Sequence, residues 1–288
     1  MKKIVYDVGA NNGDDIPYYL LKSDLVVAIE ANPVLCAEIC RRFAAEIEAG
    51  VLAVENCVAI DVTAEKEVDF YLHNTNHVLS QFLPPASADA ANFSKRRLPA
   101  RRIVDVIRQY GLPHYIKIDI EGFDAPLLRA IFADGIRPAF ISAECHSIEV
   151  LQVLLERGGY KSFKLVDGQT VSLIYANRPI VREATGECIR YSFPFHSAGP
   201  FGNDVDGEWM TPEHFVELLA FAGFGWKDVH ASNTEAASVT ATHRIIDYLN
   251  RHVELDELLP YAWKRACQAL LERLSRLPHR AARLLKLG

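Results

Sequence analysis

The first thirty residues constrain the whole chain. Ile4-Val5-Tyr6 is an apolar run too short for a helix, and it breaks straight into Asp7-Val8-Gly9-Ala10-Asn11-Asn12-Gly13. Such a run reads as a buried strand ending in a tight turn. Gly9 and Gly13 let that turn bend sharply and bring backbone amides close to a ligand. A second apolar run, Leu25-Val26-Val27-Ala28-Ile29, ends at Glu30. That acid lies about twenty residues past the turn, where a strand–turn–helix–strand unit uses a carboxylate to accept ribose hydroxyls. A nucleotide-type cofactor is therefore expected. Gly9 and Gly13 stand four apart with no G-x-G-x-x-G, which disfavours a dinucleotide pyrophosphate turn.

Short apolar runs and helical stretches alternate downstream. Strands are expected near 3–8, 25–30, 51–58, 66–72, 114–120, 138–145, 160–166 and 171–176. Helices are expected near 14–22, 33–49, 101–111, 124–134 and 147–158. This alternation predicts an α/β fold with a mostly parallel sheet covered on both faces. Asp167-Gly168 predicts a hairpin between the last two strands, closing the sheet with an antiparallel pair. After about residue 180 the character changes. Residues 192–209 read as an irregular loop rich in Phe, Pro, Gly, Ser, His and Asp, and Thr211-Pro212-Glu213 opens a helix. The expected division is 1–180 for the cofactor-binding domain and 181–288 for a C-terminal extension.

Composition narrows the class. Of 288 residues half are hydrophobic, enough for one sizeable core with an appendage. The net charge of −6 argues against nucleic acid as a bulk partner. Cys36, Cys40, Cys57, Cys145, Cys188 and Cys267 form no C-x-x-C pair and read as buried free thiols in a reducing compartment. The first strand begins by Ile4, which leaves no room for a signal peptide. No apolar run reaches the roughly 18 residues of a membrane span. A soluble cytoplasmic protein is expected.

A second signal lies in Tyr115-Ile116-Lys117-Ile118-Asp119-Ile120-Glu121-Gly122. Lys117, Asp119 and Glu121 alternate with isoleucines and so leave one face of a strand. Their burial would be costly, so all three are expected to emerge at the strand's carboxyl end, where open α/β sheets place ligands. The next strand, 139–143, runs into Glu144-Cys145-His146. If the two strands are neighbours, Asp119, Glu121, Glu144 and His146 converge on one cleft. The plain alternative is that these groups only cap the helices that follow.

These strings, DVGANNGDD, VVAIEANP, KIDIEGFD and AECH in that order and spacing, resemble the FkbM-type S-adenosylmethionine-dependent methyltransferases. The resemblance spans roughly residues 4–166. D-x-G-x-x-x-G followed by an acid is similar to the S-adenosylmethionine turn of Rossmann-like methyltransferases. The tail also resembles the extension of some members, with SAGPFG at 197–202, Trp209 and WKDVHA at 226–231. Two departures are Glu30-Ala31-Asn32-Pro33, where the family usually has Glu-Pro, and Phe123-Asp124 after the KIDIEG glycine, where it often has Ala-Glu.

The resemblance implies a Rossmann-like methyltransferase fold, a seven-stranded sheet and O-methyl transfer to a hydroxyl of a saccharide, glycan or secondary metabolite. It implies that Asp7, Gly9, Asn11 and Gly13 form the cofactor turn, that Glu30 holds the ribose with help from Asn32, and that Asn56 to Val58 border the adenine. Asp119 would sit between cofactor and acceptor. A sugar hydroxyl needs orientation and a base; the candidates are Asp119, Glu121 and His146, with Asp119 or His146 favoured. Three carboxylates and one imidazole also permit a divalent cation such as magnesium at Asp119, Glu121, Glu144 and His146.

His196, Ser197, Phe201, Trp209 and His230 are candidates for the acceptor surface, because sugars pack on rings and need polar partners. For the loop, the plain alternative is aromatic packing on the domain. The basic, leucine-rich stretch from Lys264 to Lys286 reads as a helix packed on the core or a contact with anionic membrane. Two other readings stay open: a nicotinamide-dependent sugar oxidoreductase or epimerase, disfavoured by the missing third glycine, and a non-catalytic member that binds cofactor without turnover.

Overall fold

The computed structural model describes residues 2–62 and 65–236. The chain begins β1 (Ile4–Val8), α1 (Ile16–Lys22), β2 (Leu25–Ile29), α2 (Pro33–Arg42), α3 (Ala44–Glu48), β3 (Leu52–Glu55), β4 (Val58–Ile60), β5 (Glu67–His73) and β6 (Phe93–Arg102). It continues α4 (Ile103–Tyr110), β7 (Tyr115–Ile118), α5 (Asp124–Ala133), β8 (Phe140–Glu144), α6 (Ile148–Val153), β9 (Ser162–Asp167) and α7 (Val171–Ile174). Last come β10 (Arg178–Val181), β11 (Cys188–Tyr191), α8 (Pro212–Ala222) and β12 (Lys227–Ser232).

Seven strands make the main sheet in the order β3-β2-β1-β7-β8-β12-β9. All neighbours are parallel except β12, which runs antiparallel to both β8 and β9. This is the mostly parallel, Rossmann-like sheet the sequence leads one to expect. Its strands β1, β2 and β7 are continuous buried runs because helices cover both faces. One face packs Tyr6, Ile116 and Val229 against apolar residues of α4, α5, α6 and α8. The other packs Val5, Tyr115 and Val166 against α1, α2 and the loop around Phe201.

The antiparallel strand is a correction. Residues 171–176 do not form it; they lie mostly in α7, and Asp167 accepts the Gln169 amide to start that turn. Gly168 is there for space: a Cβ on it would meet the Trp226 ring at 2.4 Å. The partner of β9 is instead β12, some sixty residues later in the chain, with Asp228 opposite Val166. Residues 227–232 are therefore an interior strand of the main sheet, and residues on both sides of position 180 share its core. The strand β6 was also unforeseen. It pairs along β5 and β4 to form a small second sheet.

One face of the main sheet carries a buried polar layer. Asp7, Lys117, Ser142, Glu144, Asp228, His230 and Lys164 are all under 9 % exposed. Asp228 and His230 sit opposite Glu144 and Ser142 across the β12–β8 pair. Loop 194–209 closes this layer: Ser197 donates to Asp15, Ala198 N donates to Asp15 at 3.1 Å, and Phe201 stacks on Tyr115 at 4.1 Å. Trp209 stacks on Phe140 and lies under the Lys164 ammonium.

His230 is a structural group within that layer. Burial, then the Lys164 charge, lowers its pKa to about 3. In an unfolded chain an imidazole titrates near 6.5. Its contribution to stability is thus complete above about pH 6.5 and is lost as pH falls toward 3. Urea unfolding at pH 7 and pH 5 checks this: His230→Gln should lose about 2 kcal/mol less than wild type over that interval.

Among the described residues no helix is long and apolar enough to cross a membrane. The basic stretch Lys264–Lys286 and Cys267 lie outside the described residues; the other five cysteines are free.

Candidate active site

The turn after β1 is built by contact between backbones. Gly9 and Ala10 donate to Ile29 O at 3.0 Å, and Asp119 N donates to Val8 O at 3.0 Å, which locks the ends of β1, β2 and β7 together. Gly9 has φ +85°, and a Cβ there would lie 1.8 Å from Asp119 O. The close approach that requires glycine is thus to the chain's own strand end. Asn11 also takes a left-handed φ, +49°.

Glu30 is held with both oxygens engaged. Oε2 accepts from Asn11 N at 2.8 Å and Oε1 from Asn32 N at 2.7 Å. Burial raises its pKa to about 7, and the two amides act against that shift. Asn32 contributes through its backbone, since its side chain caps α2 by accepting Val34 N at 3.0 Å. Asn56 donates to Glu30 O and Ala31 O, so it anchors the loop; Cys57 and Val58 face the cleft.

The cleft opens at the carboxyl ends of β1, β2, β7 and β8 and measures about 370 Å³, within the roughly 300–1,000 Å³ of small-molecule sites. Glu30 lines it together with the apolar side chains of Leu35, Val58, Ala59 and Phe70. Asp119, Glu121, Glu144 and His146 line its acid end, so the four groups expected to converge do so. His146 Nε2 lies 2.8 Å from Glu144 Oε2 and 3.7 Å from Glu121 Oε2. Burial, then the charges of Glu144 and Asp119, pushes Glu121 up to about 8. Burial, then Asp119 and Asp124, pushes Glu144 up to about 9.

Lys117 does not emerge with its neighbours; it is 5 % exposed beneath the cleft. Its ammonium donates to Gly9 O at 3.1 Å and lies 3.3 Å from Asp119 and 3.6 Å from Asp7. Burial opposes that charge, but the carboxylates of Asp119 and Asp7 outweigh it and raise its pKa. Asp7 is correspondingly under the turn and does not line the cleft; burial raises it to about 6 despite the lysine. Lys117→Met removes the charge that these acids share. Unfolding free energy in urea at pH 7 should drop by about 3 kcal/mol or more.

Of the proposed acceptor residues, His196 lines the cleft. Ser197, Phe201, Trp209 and His230 do not; they pack into the face described above. Sequence reading missed Trp226, which lines the cleft and stacks with His196 at 5.8 Å; its place just before the DVHA string was the available signal. It also missed the wall of His77, Val78, Leu79, Ser80 and Phe82, where Phe82 packs edge-on to Phe123. The Tyr-x-x-x-Lys spacing of nicotinamide sugar enzymes, taken from the sequence to be absent, occurs twice, at Tyr18/Lys22 and Tyr160/Lys164; Tyr160 donates to Pro138 O and Lys164 to Val205 O, and neither lines the cleft. Tyr18 and Lys22 bind Asp204, at 2.8 and 3.0 Å, and do not line the cleft either.

The sequence matches the methyltransferase FkbM domain over residues 7–162. The chain belongs to that family. The match takes in every element that builds the cleft except His196 and Trp226. No curated protein matches the chain. Among solved structures, it is similar to the FkbM methyltransferase of Methylobacillus flagellatus KT, at 20 % identity over 58 % of this chain and 40 % of that one, with a TM-score of 0.38. The family member described here thus spans less than half of that protein. Precorrin-6y C5,15-methyltransferase of Geobacter metallireducens aligns at 9 % identity over 81 % of each chain, TM-score 0.36. The C-terminal domain of the Rhodobacter capsulatus enzyme aligns at 10 % over 80 % and 79 %, TM-score 0.36.

Proposed function

We propose that this FkbM-family chain transfers a methyl group from S-adenosylmethionine to a hydroxyl, on a saccharide or a secondary metabolite. The observation that carries the reading is Glu30. Its carboxylate is fixed by two amides in a cleft with apolar lining, and its remaining lone pairs suit the two hydroxyls of a ribose. The apolar lining of Leu35, Val58, Ala59 and Phe70 suits a flat adenine ring. The acid end suits the positively charged end of the cofactor.

The bound cofactor supplies an electrophilic methyl group on a sulfonium. The remaining work falls to the chain's own side chains. Asp119 lies beside the acid end with its carboxylate held by Lys117, and it is assigned as the proton acceptor. A hydroxyl oxygen loses its proton readily once it is forming a bond to carbon, so a lysine-paired carboxylate is basic enough. Glu121 and Glu144 line the same cleft and can hydrogen-bond the acceptor and orient it. His196 and Trp226 form an aromatic rim on which a sugar ring can pack.

Incubating the full-length protein with methyl-labelled S-adenosylmethionine and a panel of sugar and polyketide alcohols tests this. Label is expected in an ether product with wild type. Asp119→Asn should lower turnover by about 100-fold, the usual weight of general base catalysis. Label found only on nitrogen or carbon acceptors would refute the hydroxyl assignment.

A further inference from the structure

We propose that Glu121, Glu144 and His146 form a binding site for one divalent cation of the manganese or magnesium class, at the acid end of the cleft. The three groups come from the ends of two strands, yet their ligand atoms all lie within 4.8 Å of one another. Metal bonds of about 2.1–2.3 Å put adjacent ligand atoms about 3 Å apart and opposite ones about 4–4.5 Å apart. The 2.8 and 3.7 Å separations from His146 are of that size, so one ion reaches all three with little side-chain movement.

Glu144 supplies the independent observation. It lines the cleft and is only 5 % exposed, and its Oε2 is closed to solvent with no hydrogen bond. The close approach of His146 Nε2 is therefore not a directed hydrogen bond. Two ligands of one ion stand in that relation. Charge points the same way. Asp119, Glu121 and Glu144 line this cleft and act on one another, and the one lysine that acts on them, Lys117, is shared with Asp7. One shared lysine leaves this group of carboxylates costly to bury, and a divalent ion compensates them.

Two carboxylates suit manganese or magnesium, the imidazole favours manganese as the softer of the two, and positions are left open toward the cleft. Hydroxyl oxygens of an acceptor can enter there and become easier to deprotonate. That role rests on the methyl-transfer reading above; binding of the ion does not.

The test is a titration of full-length protein with Mn²⁺, following the free ion by electron paramagnetic resonance with no cofactor present. Wild type should bind one ion saturably. His146→Ala, at a side chain 43 % exposed whose loss leaves the core intact, should weaken binding by at least about tenfold, and Glu121→Gln should do the same. No saturable binding, or affinity unchanged in both variants, would overturn the proposal. Binding of S-adenosylhomocysteine, read on the same samples, tests the cofactor assignment separately.

Discussion

Gly9→Ala is expected to lower the unfolding free energy by about 2–5 kcal/mol and to abolish cofactor binding. Two effects add. Position 9 has φ +85°, a left-handed conformation that costs an L-residue about 1–2 kcal/mol. The new methyl would also lie 1.8 Å from Asp119 O, a backbone atom that cannot swing aside, and overpacking of that kind costs about 1–3 kcal/mol. Relief requires β1 and β7 to part where Asp119 N bonds to Val8 O, which displaces Asp119 itself. The thermal midpoint should fall by about 10 °C. Gly50→Ala is the control: φ is +70° but nothing lies within 4 Å of the added carbon. It should cost about 1–2 kcal/mol and leave ligand binding intact. Equal losses in the two variants would show that the contact with Asp119 does not matter.

Glu30→Ala is expected to weaken S-adenosylhomocysteine binding by about 100-fold or more. A hydrogen bond to a charged group contributes about 1.5–3 kcal/mol, and two ribose hydroxyls make two of them. The variant also frees Asn11 N and Asn32 N, which the carboxylate now holds, so the turn loses its fixed shape. Wild-type affinity should carry a signature of the same group. With its pKa raised to about 7 by burial, Glu30 is ionised above that pH and protonated below it. A ribose prefers the ionised acceptor, so affinity at pH 6 should be about tenfold below that at pH 8. Glu30→Gln should show no such dependence.

Much of this site was legible in the sequence because its signals are local. The glycine turn, the acid closing β2 and the acids ending β7 and β8 each follow a short apolar run, and strand ends fix where such residues point. What escaped was set by pairing between distant segments. Lys117 alternates with Asp119 and so looked bound for solvent; only the arrival of Asp7, Asp15 and Asp228 around it makes burial tolerable. β12 carries Asp228, His230 and Ser232 on one face, and its alternating polar residues gave no local sign of a strand inside the main sheet. It is fully buried because β8 and β9 offer polar partners at the same level. The run at 171–176 is apolar enough for a strand, yet the Asp167 cap and the Trp226 ring on Gly168 turn it into α7. Ser197, Phe201 and Trp209 followed the plain alternative, packing on the domain, for want of any local signal separating a lid from a plug.

The central claim is that the cleft is built for an adenosyl cofactor read by Glu30. Isothermal titration of the full-length protein with S-adenosylhomocysteine, beside NADH and a Glu30→Ala variant, tests it most directly. The account predicts saturable one-to-one binding of S-adenosylhomocysteine to wild type, its loss in Glu30→Ala, and no binding of NADH. Saturable NADH binding with none of S-adenosylhomocysteine would contradict it and return the chain to the nicotinamide reading.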